Sequence, residues 1–207
     1  MGYTGSLFII AAASGTGKTS LANALAGSIL DICISVSHTT RPMRFGEKEN
    51  LSYFFVEKNA FEEMIAAKEF LEYAEVFGHY YGTSQRWVLE QLQSGKDVIL
   101  DIDWQGAQKV RRAMPESVVS VFLLPPSRDI LRHRLETRNR DSAEIVADRL
   151  LKADSEVQHY NEFDYLVIND NFDQALMDLK NIILAQRLKC HRQAVKHKKL
   201  LAEFLIH

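Results

Sequence analysis

Apolar residues are not spread evenly along this chain. Four short runs, LFIIAA (7–12), DVILDI (97–102), VVSVFLL (118–124) and DYLVIN (164–169), are rich in β-branched residues and do not alternate with polar ones. Runs of this kind predict strands buried on both faces, as in a parallel sheet covered by helices. Helical stretches are predicted between and after them, over 17–28, 84–95, 105–114 and 171–205. DICISVS (31–37) predicts a further core strand. Strand and helix in alternation predict an α/β three-layer core.

Two segments break this alternation. Residues 38–83 hold RPMRFGE, the half-alternating SYFFV, a short helix near 59–68, and FLEYAEVFGHYYG. Aromatic and β-branched alternation between glycine turns predicts a small antiparallel or mixed sheet. Residues 127–158 are predicted helical and carry Arg128, Arg132, Arg134, Arg138, Arg140 and Arg149. The chain therefore reads as one core with two insertions, one sheet-like and one an arginine-rich helical flap.

Composition narrows the class. The chain has 207 residues, 46% hydrophobic and 25% charged, with a formal net charge of -2. That is an ordinary globular balance, and it offers no basic field for nucleic acid. Cys33 and Cys190 lie far apart, which fits a reducing compartment better than a disulfide framework. The run LFIIAAA is too short to span a membrane and has no basic segment before it. The expectation is a cytoplasmic protein with no membrane and no nucleic-acid partner.

The chemistry concentrates at strand ends. AAASGTGKTS (11–20) follows a buried strand and opens a helix. Glycines let several N–H groups converge on one phosphate, and the helix N-terminus adds its dipole. Lys18 would reach the β- and γ-phosphates, and the Thr19 hydroxyl would hold Mg²⁺. Ala12 stands where the common pattern has its first glycine, which requires the chain to leave the strand with φ below zero. VILDIDWQG (98–106) ends a second buried strand in Asp101 and Asp103, the expected acidic partner of such a loop.

Three further pieces recognise a substrate. Arg41 and Arg44 in SHTTRPMR (37–44) can bracket one phosphate with forked donors, with Pro42 stiffening the link. Tyr53 and Tyr81 supply hydroxyls in the same insertion. Glu72 can accept from both N1–H and the exocyclic amine of guanine, while Ser37 or Thr83 supplies a donor to O6. In the flap, Arg134, Arg138 and Arg149 can place positive charge on a moving phosphoryl group. Arg128, Arg132 and Arg140 read instead as a solvated helix face. Cys190, His191 and His197 do not fit the spacing of a closed zinc site. The basic amphipathic stretch RLKCHRQAVKHKKLLAEFLIH (187–207) is expected to pack one face on the core or on a partner subunit, which allows a homo-oligomer.

Together these residues resemble the guanylate kinase family. The resemblance rests on S-G-x-G-K-T, S-x-T-T-R-x-x-R-x-G-E with Tyr53 beyond it, E-Y-A-x-V-x-G-x-Y-Y-G-T, D-I-D-x-Q-G, P-P-S and N-D, in that order, from about Ser6 to Arg187. It implies a phosphate-loop kinase with a core (1–35, 87–127 and 159–207), a GMP-binding domain (36–86) and a lid (128–158). It implies that Ser37, Arg41, Arg44, Tyr53, Glu72, Tyr81, Thr83 and Asp103 bind GMP. Ala11, Ala12, Ala13, Ser14, Gly15, Thr16, Gly17, Lys18 and Thr19 would hold ATP, with Arg134 and Asn169 near the adenine. Lys18, Arg41, Arg138, Arg149 and Asp101 would act in transfer, and Thr19 directly and Asp101 indirectly would hold Mg²⁺. The implied reaction is ATP + GMP ⇌ ADP + GDP, in purine nucleotide metabolism. The rival readings are a catalytically dead interaction module, a kinase for a phosphorylated sugar and a signalling GTPase. The intact loop, Glu72 with Ser37, and the lack of an N-K-x-D guanine motif argue against them in turn.

Overall fold

A computed structural model describes residues 5–76, 78–115, 117–139 and 143–205. In chain order its elements begin β1 (Leu7–Ala12), α1 (Lys18–Ala26), β2 (Ile32–Ile34), β3 (His38–Thr39), β4 (Phe54–Phe55) and α2 (Lys58–Ala66). There follow β5 (Phe70–Val76), β6 (His79–Ser84), α3 (Gln85–Gln93), β7 (Asp97–Asp101), α4 (Trp104–Ala113) and β8 (Val118–Leu124). The chain closes with α5 (Arg128–Asn139), α6 (Ala143–Val157), β9 (Tyr165–Ile168), α7 (Phe172–Arg187), α8 (Cys190–Lys196) and α9 (Lys198–Phe204).

The core is a parallel five-stranded sheet in the order β2-β7-β1-β8-β9. All six residues of β1 are buried, and alternate side chains serve opposite faces. Phe8, Ile10 and Ala12 pack with Leu21 and Leu25 of α1 and with Leu179 and Ile183 of α7. Leu7 and Ile9 pack with Val88 and Leu92 of α3 and with Ala107 and Val110 of α4. Each such burial contributes about 1.5–3 kcal/mol, so the unbroken apolar run is what a strand between two helix layers requires.

The edges of the sheet depart from expectation. The strand predicted over 31–37 shrinks to the three residues of β2, which has a partner on one side alone and hands over to a loop at Ser35. At the other edge β9 is not buried on both faces. Leu166 and Ile168 stay exposed and only Val167 is buried, packed in the cluster that holds Leu179 and Ile183 of α7.

The helix predicted over 171–205 is also corrected. It breaks into α7, α8 and α9. Lys189 turns to an extended ψ of 138° and caps α8. The break lets Arg187 and Arg192 both point at Asp97, the first residue of β7. Neither α8 nor α9 contributes a buried residue, and Leu200, Leu201, Phe204 and Leu205 remain exposed.

The first insertion forms the predicted small mixed sheet, in the order β4-β3-β6-β5, parallel between β3 and β4 and antiparallel elsewhere. Phe61 of α2 stacks on Phe70 at 4.4 Å and on Tyr80 at 5.2 Å, which clips the helix to the sheet. His38 stacks on Phe54 at 4.8 Å and meets the edge of Phe70 at 5.7 Å, and its Nδ1 is buried without a hydrogen bond. Burial holds this imidazole below its ordinary pKa, against the opposing pull of Glu69 and Glu49. The folded chain thus prefers neutral His38, while the unfolded chain takes up a proton near pH 6.5. Its contribution is full above that pH and is lost as pH falls through the depressed folded value. Urea midpoints should drop between pH 7.5 and 5.5, and drop less in His38→Phe; an equal drop in both proteins would refute this source.

The second insertion is a hairpin of α5 and α6, the helical flap expected from sequence. Leu131, Leu135, Val146, Leu150 and Ala153 form its own small core, joined by Ala13 from the loop after β1. The hairpin therefore leans on the phosphate-loop segment.

Candidate active site

The loop after β1 is built as its sequence requires. Ala12 is the last residue of β1, buried and in register with Leu123. It is not among the described residues with positive φ. The strand continues through the position where a glycine was expected, so alanine is accepted there without strain. The bend falls instead on Gly15 and Gly17, at φ 89° and 93°. A Cβ on Gly15 would press on Leu131 and Leu135 of the flap, and one on Gly17 would lie 2.9 Å from the Asn169 amide. Both positions need glycine for conformation and for space.

Lys18 and Thr19 open α1 beneath the loop. The Lys18 ammonium pairs with Asp101 and donates to the Ile102 carbonyl at 3.0 Å. Thr19 Oγ1 donates to Asp101 Oδ2 at 2.8 Å. The acid at the end of β7 thus gathers the two residues that the loop pattern assigns to phosphate and metal. Asn169, buried at the end of β9, donates from Nδ2 to the Thr16 carbonyl at 2.6 Å, and Arg134 of α5 donates to the Asn169 carbonyl at 3.1 Å. These two brace the loop from the strand side.

The sheet-like insertion supplies the second half. Glu72 on β5 does not face water: it is buried, and Thr83 Oγ1 on β6 donates to its Oε1 at 2.6 Å. Burial pushes the Glu72 carboxyl up, the Thr83 hydroxyl opposes that, and neighbouring Asp103 adds to the rise. A Cβ on Gly106 would sit 3.1 Å from Glu72 Oε2 and 3.3 Å from Asp103 Oδ1. The glycine of the D-I-D-x-Q-G segment therefore makes room for two converging carboxylates. Asp103 itself caps α4, accepting from the Gly106 amide at 2.7 Å, and also lines the loop cavity. Ser37 lies beside β3, its carbonyl accepting from Phe54 N–H.

Arg41 is buried to 8% exposure and held from several sides. It donates to Glu47 Oε1 at 2.6 Å and to the Pro42 carbonyl at 2.8 Å, and lies 5.4 Å over the Tyr53 ring. Tyr53 packs edge-on to Tyr81 at 5.9 Å. Glu47 also accepts from the Arg44 amide at 2.7 Å, and Arg41 holds its carboxyl below the usual range. Arg41, Arg44 and Arg149 line one cleft of about 800 Å³ between the sheet-like insertion and α6. His79, Glu144 and Asp148 line it too. The side chain of Arg138 and all of Arg140 lie outside the described residues.

Two residues now stand out that the sequence reading did not single out. Glu47, the acid of R-x-x-R-x-G-E, holds the Arg41 guanidinium and the Arg44 backbone amide, and its place in that motif was a usable signal. Glu156, near the end of α6, accepts from the Ser14 amide at 3.1 Å and lines the loop cavity. Nothing in its local sequence announces this.

The arrangement holds an anion-binding loop, a buried carboxylate shaped for paired donors, and an arginine-lined cleft. Comparison with known proteins agrees with this picture. The guanylate kinase family model matches residues 4–186. A guanylate kinase from Vibrio parahaemolyticus is 52% identical over 203 residues, 97% of this chain and 98% of that protein. One from Legionella pneumophila is 50% identical over 202 residues, 98% of this chain and 96% of that protein. The crystal structure of guanylate kinase from Anaplasma phagocytophilum superposes with a TM-score of 0.80 at 32% identity, covering 99% and 98% of the two chains. This chain belongs to the guanylate kinase family.

Proposed function

We propose that the chain transfers the γ-phosphoryl group of ATP to GMP, giving ADP and GDP, and so recycles GMP in cytoplasmic purine metabolism. The observation that carries the reading is Glu72, a buried carboxylate oriented by Thr83 and facing Asp103 and Lys18. A guanine edge offers two adjacent donors to such a group, whereas adenine offers a ring acceptor that would leave it unpaired. Two free thiols, Cys33 and Cys190, suit a reducing compartment. Among the described residues no helix is long and apolar enough to cross a membrane.

The residues divide the work. Arg41 and Arg44, with Tyr53 and Tyr81, would hold the GMP phosphate, and Glu47 keeps the arginines in place. A phosphate monoester has a second pKa near 6, so its oxygen is already largely ionised and needs no strong base. Lys18 and the loop amides would hold the β- and γ-phosphates, while Arg149, joined in our reading by Arg138, neutralises charge on the transferring group. Closing the cleft between the two insertions would align the nucleotides and exclude water.

Thr19 directly and Asp101 indirectly would hold Mg²⁺. One hydroxyl and one carboxylate 2.8 Å apart make a small all-oxygen donor set. Among the described residues no three His, Cys, Asp or Glu side chains gather into a metal site. A hydroxyl and a carboxylate suit an ion that keeps its waters and arrives with the nucleotide phosphates. When bound it would withdraw charge from the β- and γ-oxygens.

The test is ADP release with Mg-ATP and each of GMP, AMP, CMP and UMP. GMP should exceed every other acceptor in kcat/KM by roughly 10²-fold or more. Comparable use of AMP would sink the reading. Glu72→Gln should lower kcat/KM for GMP by roughly 10²-fold, since the new amide points a donor at guanine. The affinity for ATP should stay within about twofold in a direct titration, and parallel losses on both nucleotides would exclude a guanine role.

A further inference from the structure

Glu156 has no part in the chemistry above, yet it lies in the loop cavity. Its Oε2 accepts from the Ser14 N–H at 3.1 Å. Among the described residues the cavity, about 280 Å³, is lined by the loop from Ala12 to Thr19, by Asp103 and by Glu156. The loop's amides are arranged for an anion, and here a carboxylate of the chain's own supplies one. Lys18 is the cation facing it from the loop, with Lys152 on its own helix, while Asp103 repels it from the start of α4. Burial pushes the Glu156 carboxyl up, against the opposing pull of the Ser14 N–H and Lys18.

A triphosphate and the Glu156 carboxylate are both anionic, and both would draw on the donors and the Lys18 charge of the same loop. We propose that Glu156 is an internal competitor for the phosphate loop: it holds the Ser14 amide of the loop and must leave when ATP binds. It thereby sets donor affinity. Glu156 lies one residue before the end of α6, and α6 supplies Arg149 to the substrate cleft. Release of Glu156 by phosphate therefore frees the root of the helix that carries a transfer-side arginine. This proposal rests on the reading of the loop as the ATP-phosphate site.

The test is calorimetric titration of the full-length chain with Mg-ATP, and separately with GMP, for the wild type, Glu156→Ala, Glu156→Gln and Lys18→Ala. Glu156→Ala should bind ATP roughly 3–10-fold more tightly, the gain when a competent fraction rises from about a third or a tenth to unity. Glu156→Gln should fall between, because its amide oxygen can still accept from Ser14 but carries no charge. GMP affinity should be unchanged in both, which also reports an intact fold. Should the alanine variant fail to bind GMP, the glutamine variant carries the test alone. Unchanged or weaker ATP binding in a variant that binds GMP normally overturns the proposal, and weaker binding would instead make Glu156 a support of the loop. Lys18→Ala should lose ATP binding. If it does not, the ATP-site reading fails and the proposal falls with it, which separates that failure from failure of the competitor role alone.

Discussion

Replacing Lys18 with alanine is expected to lower kcat/KM for Mg-ATP and GMP by roughly 10³-fold or more while leaving the fold intact. Lys18 is the ammonium at the mouth of α1, and it makes an ion pair with Asp101 and a hydrogen bond to the Ile102 carbonyl. Those contacts keep the ammonium at the loop cavity it helps to line. Transfer needs little covalent help and depends on positioned positive groups, of which Lys18 is the one set at the start of α1 beneath the loop. Stability should change little. The Lys18 side chain keeps about a quarter of its surface in solvent, and Asp101 retains its bond from Thr19. The measurement is steady-state kinetics beside a thermal melt. Activity within tenfold of wild type would remove Lys18 from the transfer step. Lys18→Arg should recover little, since a planar fork does not replace a compact point charge in a closed loop.

The second large effect is on stability. Asp97 is fully buried at the start of β7 and accepts three charged or backbone donors. They are Ser6 N–H at 2.7 Å, Arg187 Nε at 2.7 Å and Arg192 Nη2 at 3.1 Å. Arg187 further donates to the Leu30 carbonyl at 2.7 Å and to the Asp31 carbonyl at 3.1 Å. The acid therefore ties the N-terminal segment, the sheet and the C-terminal helices at one point. Asp97→Ala removes the buried carboxylate that two largely buried guanidinium groups share and should cost about 3–5 kcal/mol. Urea unfolding checks this, and a loss under about 1 kcal/mol would show that the knot is not what holds the C-terminal segment. Asp97→Asn keeps an acceptor of the same shape and should lose less. The strand's length puts Asp97 roughly 13 Å from Asp101. The folded fraction of either variant should therefore keep wild-type kcat.

Much of this molecule can be read before folding. The phosphate loop is legible because its requirements are local: glycines for positive φ, a lysine and a threonine at the helix start, and a buried strand before them. The parallel core is legible because strands buried on both faces have no polar positions to alternate. What fails to show is decided by distant partners. Glu156 is one acid among several on a charged helix, and its meaning comes from a backbone amide 142 residues earlier. The break after Arg187 is invisible for the same reason, since the stretch continues in helix formers and only Asp97, 90 residues upstream, requires Arg187 and Arg192 to converge. Glu72 sits between these cases. Its type and motif mark it, but only the packing of β5 against β6 and α4 removes it from water.

The same five-residue strand carries Asp97 at one end and Asp101 at the other. One acid fastens the tertiary structure and the other organises the reacting groups. The rigid apolar stretch of Val98, Ile99 and Leu100 lies between them. A lineage adapting to heat or cold can therefore strengthen or loosen the arginine knot, and vary the exposed α8 and α9 around it, without moving the atoms that meet phosphate. Such a chain can drift in thermal tolerance while its chemistry stays under separate selection.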